Sequence, residues 1–217
     1  LTLHPDILAV GTARSIFGEN VKRKIQCFPE NFDDIKAYMF LACPIVHPSV
    51  MMRRDVFFKY NIRYDEHYRN MEDYKLWYDI MQIGKIANIS EPLLFYRISK
   101  EQVSTKYKVN QMIGNKLFRR EIMSTYLLSK GINIDERIIN WELIHEISHL
   151  KLQTIDDAKM IASILFVCCL SVHDNKGLGL IKFLYSLVWT KRFFHCKYIG
   201  GIIIHYLHLK RLDYLSI

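Results

Sequence analysis

An α/β part followed by an all-helical part is the fold the sequence predicts, and three observations predict it. Short apolar runs bounded by turn residues recur through the first hundred or so residues. Leu76, Trp77, Ile80, Met81 and Ile83 fall at helical spacing, with Gly84 placed to stop the helix. From about Lys108 onward strand signals vanish and helical patterns take over.

The elements follow in order. Ile7 to Phe17 is an apolar strand, and Asp33 to Leu41 is a short helix after the turn material PENFDD. Val46 to Met52 is extended but holds Pro48, which confines it to an edge or irregular strand. Arg54 to Tyr60 reads as a short helix and Glu72 to Ile83 as a longer one. Lys85 to Ile89 and Pro92 to Ile98 read as two short strands separated by Ser90-Glu91. Beyond them, helices are expected at about 109–130 (ended by Gly131), 138–152, 155–172, 178–194 and 198–212. The division is therefore residues 1–106, α/β, and 107–217, helical.

Composition narrows the class. Half of the 217 residues are hydrophobic and 24% are charged, enough to bury a core. Of the net charge of +8, six units belong to the segment from Lys176 to Ile217, where seven Lys/Arg face one acid, Asp213. The basic character is thus local, and no nucleic-acid footprint is expected. The last two helices mix that charge with apolar and aromatic residues. They fit either an interfacial helix on an anionic membrane surface or a buried helix with a solvated basic rim. The five cysteines show no C-x-x-C spacing, which suits a reducing compartment. No signal peptide is expected. In the helical part the uncharged runs Met160 to Val172 and Tyr198 to Leu209 hold 13 and 12 residues. Both are shorter than the roughly 18 to 20 that span a bilayer. The strand starting so soon after Leu1 raises the expectation that an N-terminal portion belongs ahead of it.

Two motifs carry candidate chemistry. In HEISH, His145 and His149 lie four apart with Glu146 between them, the spacing of a zinc site. Zinc wants a third protein ligand. The nearest downstream cluster, His173-Asp174, lacks the spacing of a known extension, so partly buried helix histidines with Glu146 facing solvent are the expectation. In NMEDYKLW, Glu72 and Asp73 open a helix. Acids there stabilise the positive end of the helix dipole; alternatively one of them takes a proton in a reaction.

The surroundings of that stretch favour the second reading. His47, Ser49, Val50, Met51 and Arg53 are followed by Tyr64-Asp65-Glu66, then Glu72-Asp73-Tyr74 with Leu76-Trp77, then Gly84-Lys85-Ile86, then Pro92-Leu93-Leu94 with Tyr96-Arg97. In this order the series resembles the C-terminal half of a family 2 glycosyltransferase domain, the inverting nucleotide-sugar enzymes of GT-A (Rossmann-like) fold. The resemblance covers about residues 1 to 106. It implies an incomplete, acceptor-side half of a GT-A domain, of hexosyltransferase type. In that family the Asp of the E-D motif is the general base for the acceptor hydroxyl, which maps to Asp73, with Glu72 as helper. His47 and Ser49 either line the acceptor side or close a strand end. Arg53 and Arg97 either meet a diphosphate or form structural pairs.

The resemblance also implies partners: a nucleotide-sugar donor and a glycan or lipid-linked acceptor. It implies a role in bacterial cell-surface polysaccharide or lipopolysaccharide synthesis, in the cytoplasm and peripherally at the inner face of the cell membrane. A divalent cation, Mg²⁺ or Mn²⁺, is expected for a complete enzyme. Its ligands are not expected in this chain, which has no D-x-D and holds Ser99 where many relatives carry a histidine. The 217 residues alone are accordingly expected to be inactive. The alternative function is a non-catalytic helical interaction or membrane-docking module.

Overall fold

The computed structural model describes residues 1–18, 21–99, 101–134, 143, 146–147, 150 and 154–171. These fall into two compact units, Leu1–Ile122 and Met123–Ile217.

The first unit is built on a mixed four-stranded sheet, which makes the observed class α/β. Strand β1 (Ile7–Gly18) is its hub. Along its whole length it pairs in parallel with β4 (Lys85–Ile98), from Ile7↔Lys85 to Gly18↔Ile98. On its other side it pairs antiparallel with β3 (Met51–Met52) near its start and with β2 (Val21–Gln26) near its end. A central strand with a neighbour on each side is buried over most of its length. Leu8, Ala9, Ala13 and Ile16 are buried accordingly.

Helices α1 (Phe32–Tyr38) and α3 (Glu72–Met81) both pack on β4. Asn31 caps α1, its Oδ1 accepting from the Asp34 N–H at 3.0 Å. Buried Asn88 of β4 fastens the loops on either side of that helix. Its Nδ2 donates to the Pro29 carbonyl at 2.7 Å and the Pro44 carbonyl at 3.0 Å. A short α2 (Asp55–Phe58), a one-turn α4 (Val103–Lys106) and the long α5 (Lys108–Ser129) complete the described helices of this part of the chain.

Three expectations change. The stretch 46–52 is mostly a 3-10 turn, His47–Ser49, with Pro48 in its first turn, and only Met51–Met52 pair as strand. The two short strands at 85–98 are one continuous β4. Its register against β1 shifts between Thr12↔Ile89 and Ala13↔Pro92, so Ser90 and Glu91 form an irregularity rather than a break. Gly84 does not stop α3 through a left-handed backbone. The helix has ended at Met81, and a Cβ at Gly84 would lie 2.5 Å from Leu8 Cδ1, so a larger residue there would force the Leu8 side chain to move. Gly131 does act as expected, at φ +86° just past α5.

In the second unit, α6 (Ile155–Ser171) buries Ile161, Ile164, Leu165 and Cys168. Thr154 Oγ1 accepts from the Asp157 N–H at 3.0 Å. The Asp157 carboxylate then takes the Tyr126 hydroxyl at 2.8 Å and Lys130 Nζ at 2.6 Å. Those contacts push the Tyr126 phenol well up, by burial first and then by the hydrogen bond to Asp157. No described helix is long and apolar enough to cross a membrane. The helices expected at 178–194 and 198–212, with their basic charge, lie outside the described residues.

Candidate functional site

The site is organised by the first turn of α3. Asn70 adopts a left-handed backbone (φ 67°), a conformation asparagine tolerates, and its carbonyl accepts from Gln111 Nε2 at 2.9 Å. The chain then enters α3 without a side-chain cap from Met71. Instead, Asp73 Oδ1 accepts from the adjacent Tyr74 N–H at 2.8 Å, one of the amides a helix start leaves unpaired. Below that turn, Tyr74, Leu76, Trp77 and Ile80 are fully buried, and the Tyr74 hydroxyl donates to the Met39 carbonyl.

Asp73 and Trp77 are four apart and share one helix face. Exposed His47, from the 3-10 turn, packs its ring edge-on against Trp77, with centroids 6.0 Å apart. His47 Nε2 is 3.0 Å from the Tyr64 hydroxyl. Burial pushes the Asp73 carboxyl above the usual carboxylate range. The nearby His47 and the Tyr74 N–H act in the opposite direction, and Glu72 adds to the rise. Desolvation raises the Tyr64 phenol, with Asp73 and then Glu72 contributing. The Cys43 thiol is raised first by burial and then by Asp73. Glu72 Oε2 is buried without a hydrogen-bond partner. Asp73 is therefore coupled electrostatically to each of Cys43, His47, Tyr64 and its neighbour Glu72.

The other expected site residues are placed differently. Ser49 Oγ donates to the Val46 carbonyl at 2.8 Å and accepts the Thr12 N–H at 3.0 Å, pinning the turn that carries His47 to β1. Ser49 also borders a pocket of about 350 Å³ with Val10, Thr12, Met51, Ile89 and Leu93. Arg53 spends its guanidinium on backbone carbonyls: Ile7 at 2.8 Å, Leu1 at 2.6 Å and His4 at 3.2 Å. Arg97 is exposed on β4, opposite Phe17. The structure thus brings His47 to the Glu72-Asp73 pair and engages Arg53 in holding the first residues.

Tyr64 and Cys43 are site residues that sequence reasoning assigned no role. Tyr64 carried a signal, as the first residue of Tyr64-Asp65-Glu66, whereas Cys43 carried none. Asp65 serves a local purpose, accepting from the His67 N–H at 2.9 Å and its Nδ1 at 2.8 Å. Among the described residues no three His, Cys, Asp or Glu side chains gather into a donor set for a metal ion. Of HEISH, Glu146 is exposed and Ile147 buried; His145 and His149 lie outside the described residues.

An α/β unit that presents a partly buried carboxylate at a helix start, beside a histidine, has the makings of a general-base site. Comparison with known proteins finds two relatives. Over 153 residues, 70% of this chain and 45% of the relative, the sequence is 31% identical to an uncharacterized glycosyltransferase of Haemophilus influenzae. Over 104 residues, 48% of this chain and 38% of the relative, it is 29% identical to the amylovoran biosynthesis glycosyltransferase AmsE of Erwinia amylovora. Both relatives are named glycosyltransferases, and the chain is similar to them over less than half of their length. The longer similarity exceeds the 106 residues of the motif series and so reaches into the helical part. No family model and no solved structure matches the chain.

Proposed function

We propose that this chain is the acceptor-side part of an inverting glycosyltransferase, of family 2 type and GT-A fold, with Asp73 as its general base. The observation that carries the proposal is the Asp73 carboxylate, anchored through one oxygen by the Tyr74 N–H and set beside His47. An acceptor hydroxyl attacks the anomeric carbon of a nucleotide sugar while its proton passes to Asp73. The bond from that carbon to the nucleoside diphosphate breaks, and a single displacement inverts the centre. Proton removal of this kind is worth about 10² to 10⁴ in rate. Burial raises the Asp73 carboxyl, so it is ionised and able to act only above the ordinary carboxylate range.

His47 and Tyr64 flank the acceptor approach in this reading, and Glu72 orients the hydroxyl. Ser49, Arg53 and Arg97 remain secondary candidates for substrate contact, with Arg53 and Ser49 also holding the fold. A Mg²⁺ or Mn²⁺ ion on the leaving diphosphate is expected in a complete enzyme, with ligands outside this chain. The name of the Erwinia relative refers to amylovoran biosynthesis. It supports extending the reading to a bacterial cell-surface polysaccharide or lipopolysaccharide.

The test uses a polypeptide that carries a nucleotide-sugar-binding part ahead of Leu1. Nucleoside diphosphate release is measured across a set of nucleotide sugars with an oligosaccharide acceptor. Asp73→Asn is expected to lower turnover at least about 100-fold with donor KM retained. Turnover within a few-fold of the parent removes Asp73 from the role.

A further inference from the structure

The geometry points to a substrate-binding residue outside the motif series: Arg14 of β1 holds an oxyanion, phosphate or carboxylate, carried by a substrate that reaches Asp73. The inference rests on the transfer reading for the source of that anion, whereas the anion site itself is tested by binding alone.

Arg14 is half-buried in the sheet. A guanidinium keeps its charge in a folded protein, so burying it is costly unless an anion lies beside it. Arg14 has no such partner, because among the described residues no Asp or Glu forms an ion pair with it. Its neighbours are neutral. Gln26 Oε1 accepts from Arg14 Nε at 3.0 Å and from Nη2 at 2.8 Å. The Tyr96 ring lies against the guanidinium, with its centroid 4.3 Å from the central carbon. Burial works against the charge, and Tyr96 is the main group that favours it. Gln26 occupies the side edge of the fork, Nε with Nη2. The end-on edge, Nη1 with the second Nη2 N–H, is the pair that grips a carboxylate or phosphate through two bonds. Arg53 and Arg119, by contrast, direct their forks at backbone carbonyls and are structural.

Cys43 links this cation to the candidate base. Its thiol is fixed by donating to the Ile45 carbonyl at 3.4 Å. Burial raises that thiol most; beyond burial, Asp73 raises it and Arg14 lowers it, so both charges lie within reach of one sulfur. The buried Tyr38 phenol likewise responds to burial first, then to Cys43 and Arg14. A group held by Arg14 therefore belongs to a molecule that comes near Asp73. Two substrates of a sugar transfer carry the required chemistry: the diphosphate of the donor, and the carboxylate of an acidic sugar in the acceptor.

Isothermal titration calorimetry on the full 217-residue chain at pH 7 tests this, with sodium pyrophosphate in one arm and sodium glucuronate in the other. The parent is expected to bind at least one of them, and the tighter-binding probe names the source of the anion. Arg14→Met should weaken that binding about 10- to 100-fold, the loss expected when charge-assisted hydrogen bonds are removed. Lys59→Gln, which removes an exposed cation after α2, should bind like the parent. Thermal melting supplies a second readout. Without a probe, Arg14→Met should melt at or above the parent, since an apolar side chain replaces a half-buried cation that has no counter-ion. The bound probe should raise the melting temperature of the parent and not that of Arg14→Met. Four results overturn the proposal: neither probe binds the parent, Arg14→Met binds as the parent does, Lys59→Gln loses as much affinity, or Arg14→Met melts far below the parent without a probe. None of these readouts depends on turnover, so a failure of Asp73 as the base leaves them unchanged.

Discussion

Phe118 on α5 is the residue through which the helical part braces the candidate site, and its truncation has a calculable cost. The side chain is 1% exposed and makes three edge-on aromatic contacts, with centroids 5.4 Å from Tyr68, 5.0 Å from Tyr74 and 5.8 Å from Tyr78. Two of those rings belong to α3, the helix that opens with Glu72 and Asp73. Truncating a buried phenylalanine to alanine costs about 3–5 kcal/mol through lost burial and the cavity left behind. The three ring contacts, each worth about 0.5–1.5 kcal/mol, argue for the upper half of that range. Alanine's better helix propensity returns about 0.5 kcal/mol. The net expectation for Phe118→Ala is about 3.5–4.5 kcal/mol. Hydrogen exchange read by mass spectrometry on peptides covering Glu72–Met81 gives the most direct assay, because it reports opening of α3 itself. At about 1.4 kcal/mol per tenfold, protection there should fall by about 100-fold or more. Leu117→Ala is the control, since Leu117 is 63% exposed and its loss should change little, within about 0.5 kcal/mol. If Phe118→Ala loosens α5 but leaves exchange in α3 within about threefold of the parent, the brace does not exist and the reasoning fails.

Three further outcomes are expected. Asp73→Asn should raise the urea midpoint at pH 7. Burial lifts the native carboxyl above its unfolded value, so the native state binds the proton more tightly, and stability falls as pH rises through that interval. The gain should disappear in acid, where both states are protonated, and an equal midpoint shift at both pH values would contradict the assignment. Asn88→Ala should cost about 1–3 kcal/mol by urea denaturation, because it leaves the Pro29 and Pro44 carbonyls without their donor. Arg53→Gln should cost about 1–3 kcal/mol and speed proteolysis ahead of Ile7, since its guanidinium holds the carbonyls of Leu1, His4 and Ile7. Unchanged cleavage would return Arg53 to the list of free cations.

What was legible in the sequence follows from how local each signal is. β1, α3, α5 and α6 carry apolar runs or helical spacing within a few turns of chain, and their bounds came out within two residues. Strand β2, VKRKIQ, carries no such pattern. It is a strand because its backbone pairs with β1, and its cations stay exposed while it does so. Ser90-Glu91 suggested a break in β4, yet the chain absorbs it in a register shift against β1. The Glu72-Asp73 pair was legible from its neighbours in sequence. Its surroundings were not, since His47 is 26 residues away and its contact with the Trp77 ring depends on how the 3-10 turn meets α3. The burial that raises Asp73 likewise belongs to the packed fold.

The two carboxylates at the start of α3 differ in what the fold does for them. Asp73 has a fixed oxygen, a helix N-terminus at its back and a histidine opposing the cost of its burial. Glu72 has a buried oxygen with no donor, which costs about 1–3 kcal/mol and contributes nothing to the fold. Selection for stability alone would replace either acid by its amide or by an apolar side chain. A polyhydroxylated acceptor changes that balance. One hydroxyl can give its proton to Asp73 while a neighbouring one donates a hydrogen bond to Glu72, so the donor the fold lacks arrives with the substrate. Under that arrangement Glu72→Gln should weaken acceptor binding more than it slows turnover, while Asp73→Asn does the reverse. A KM-against-kcat comparison of the two variants separates the roles: equal effects on both constants would mean that the pair acts as a single charge.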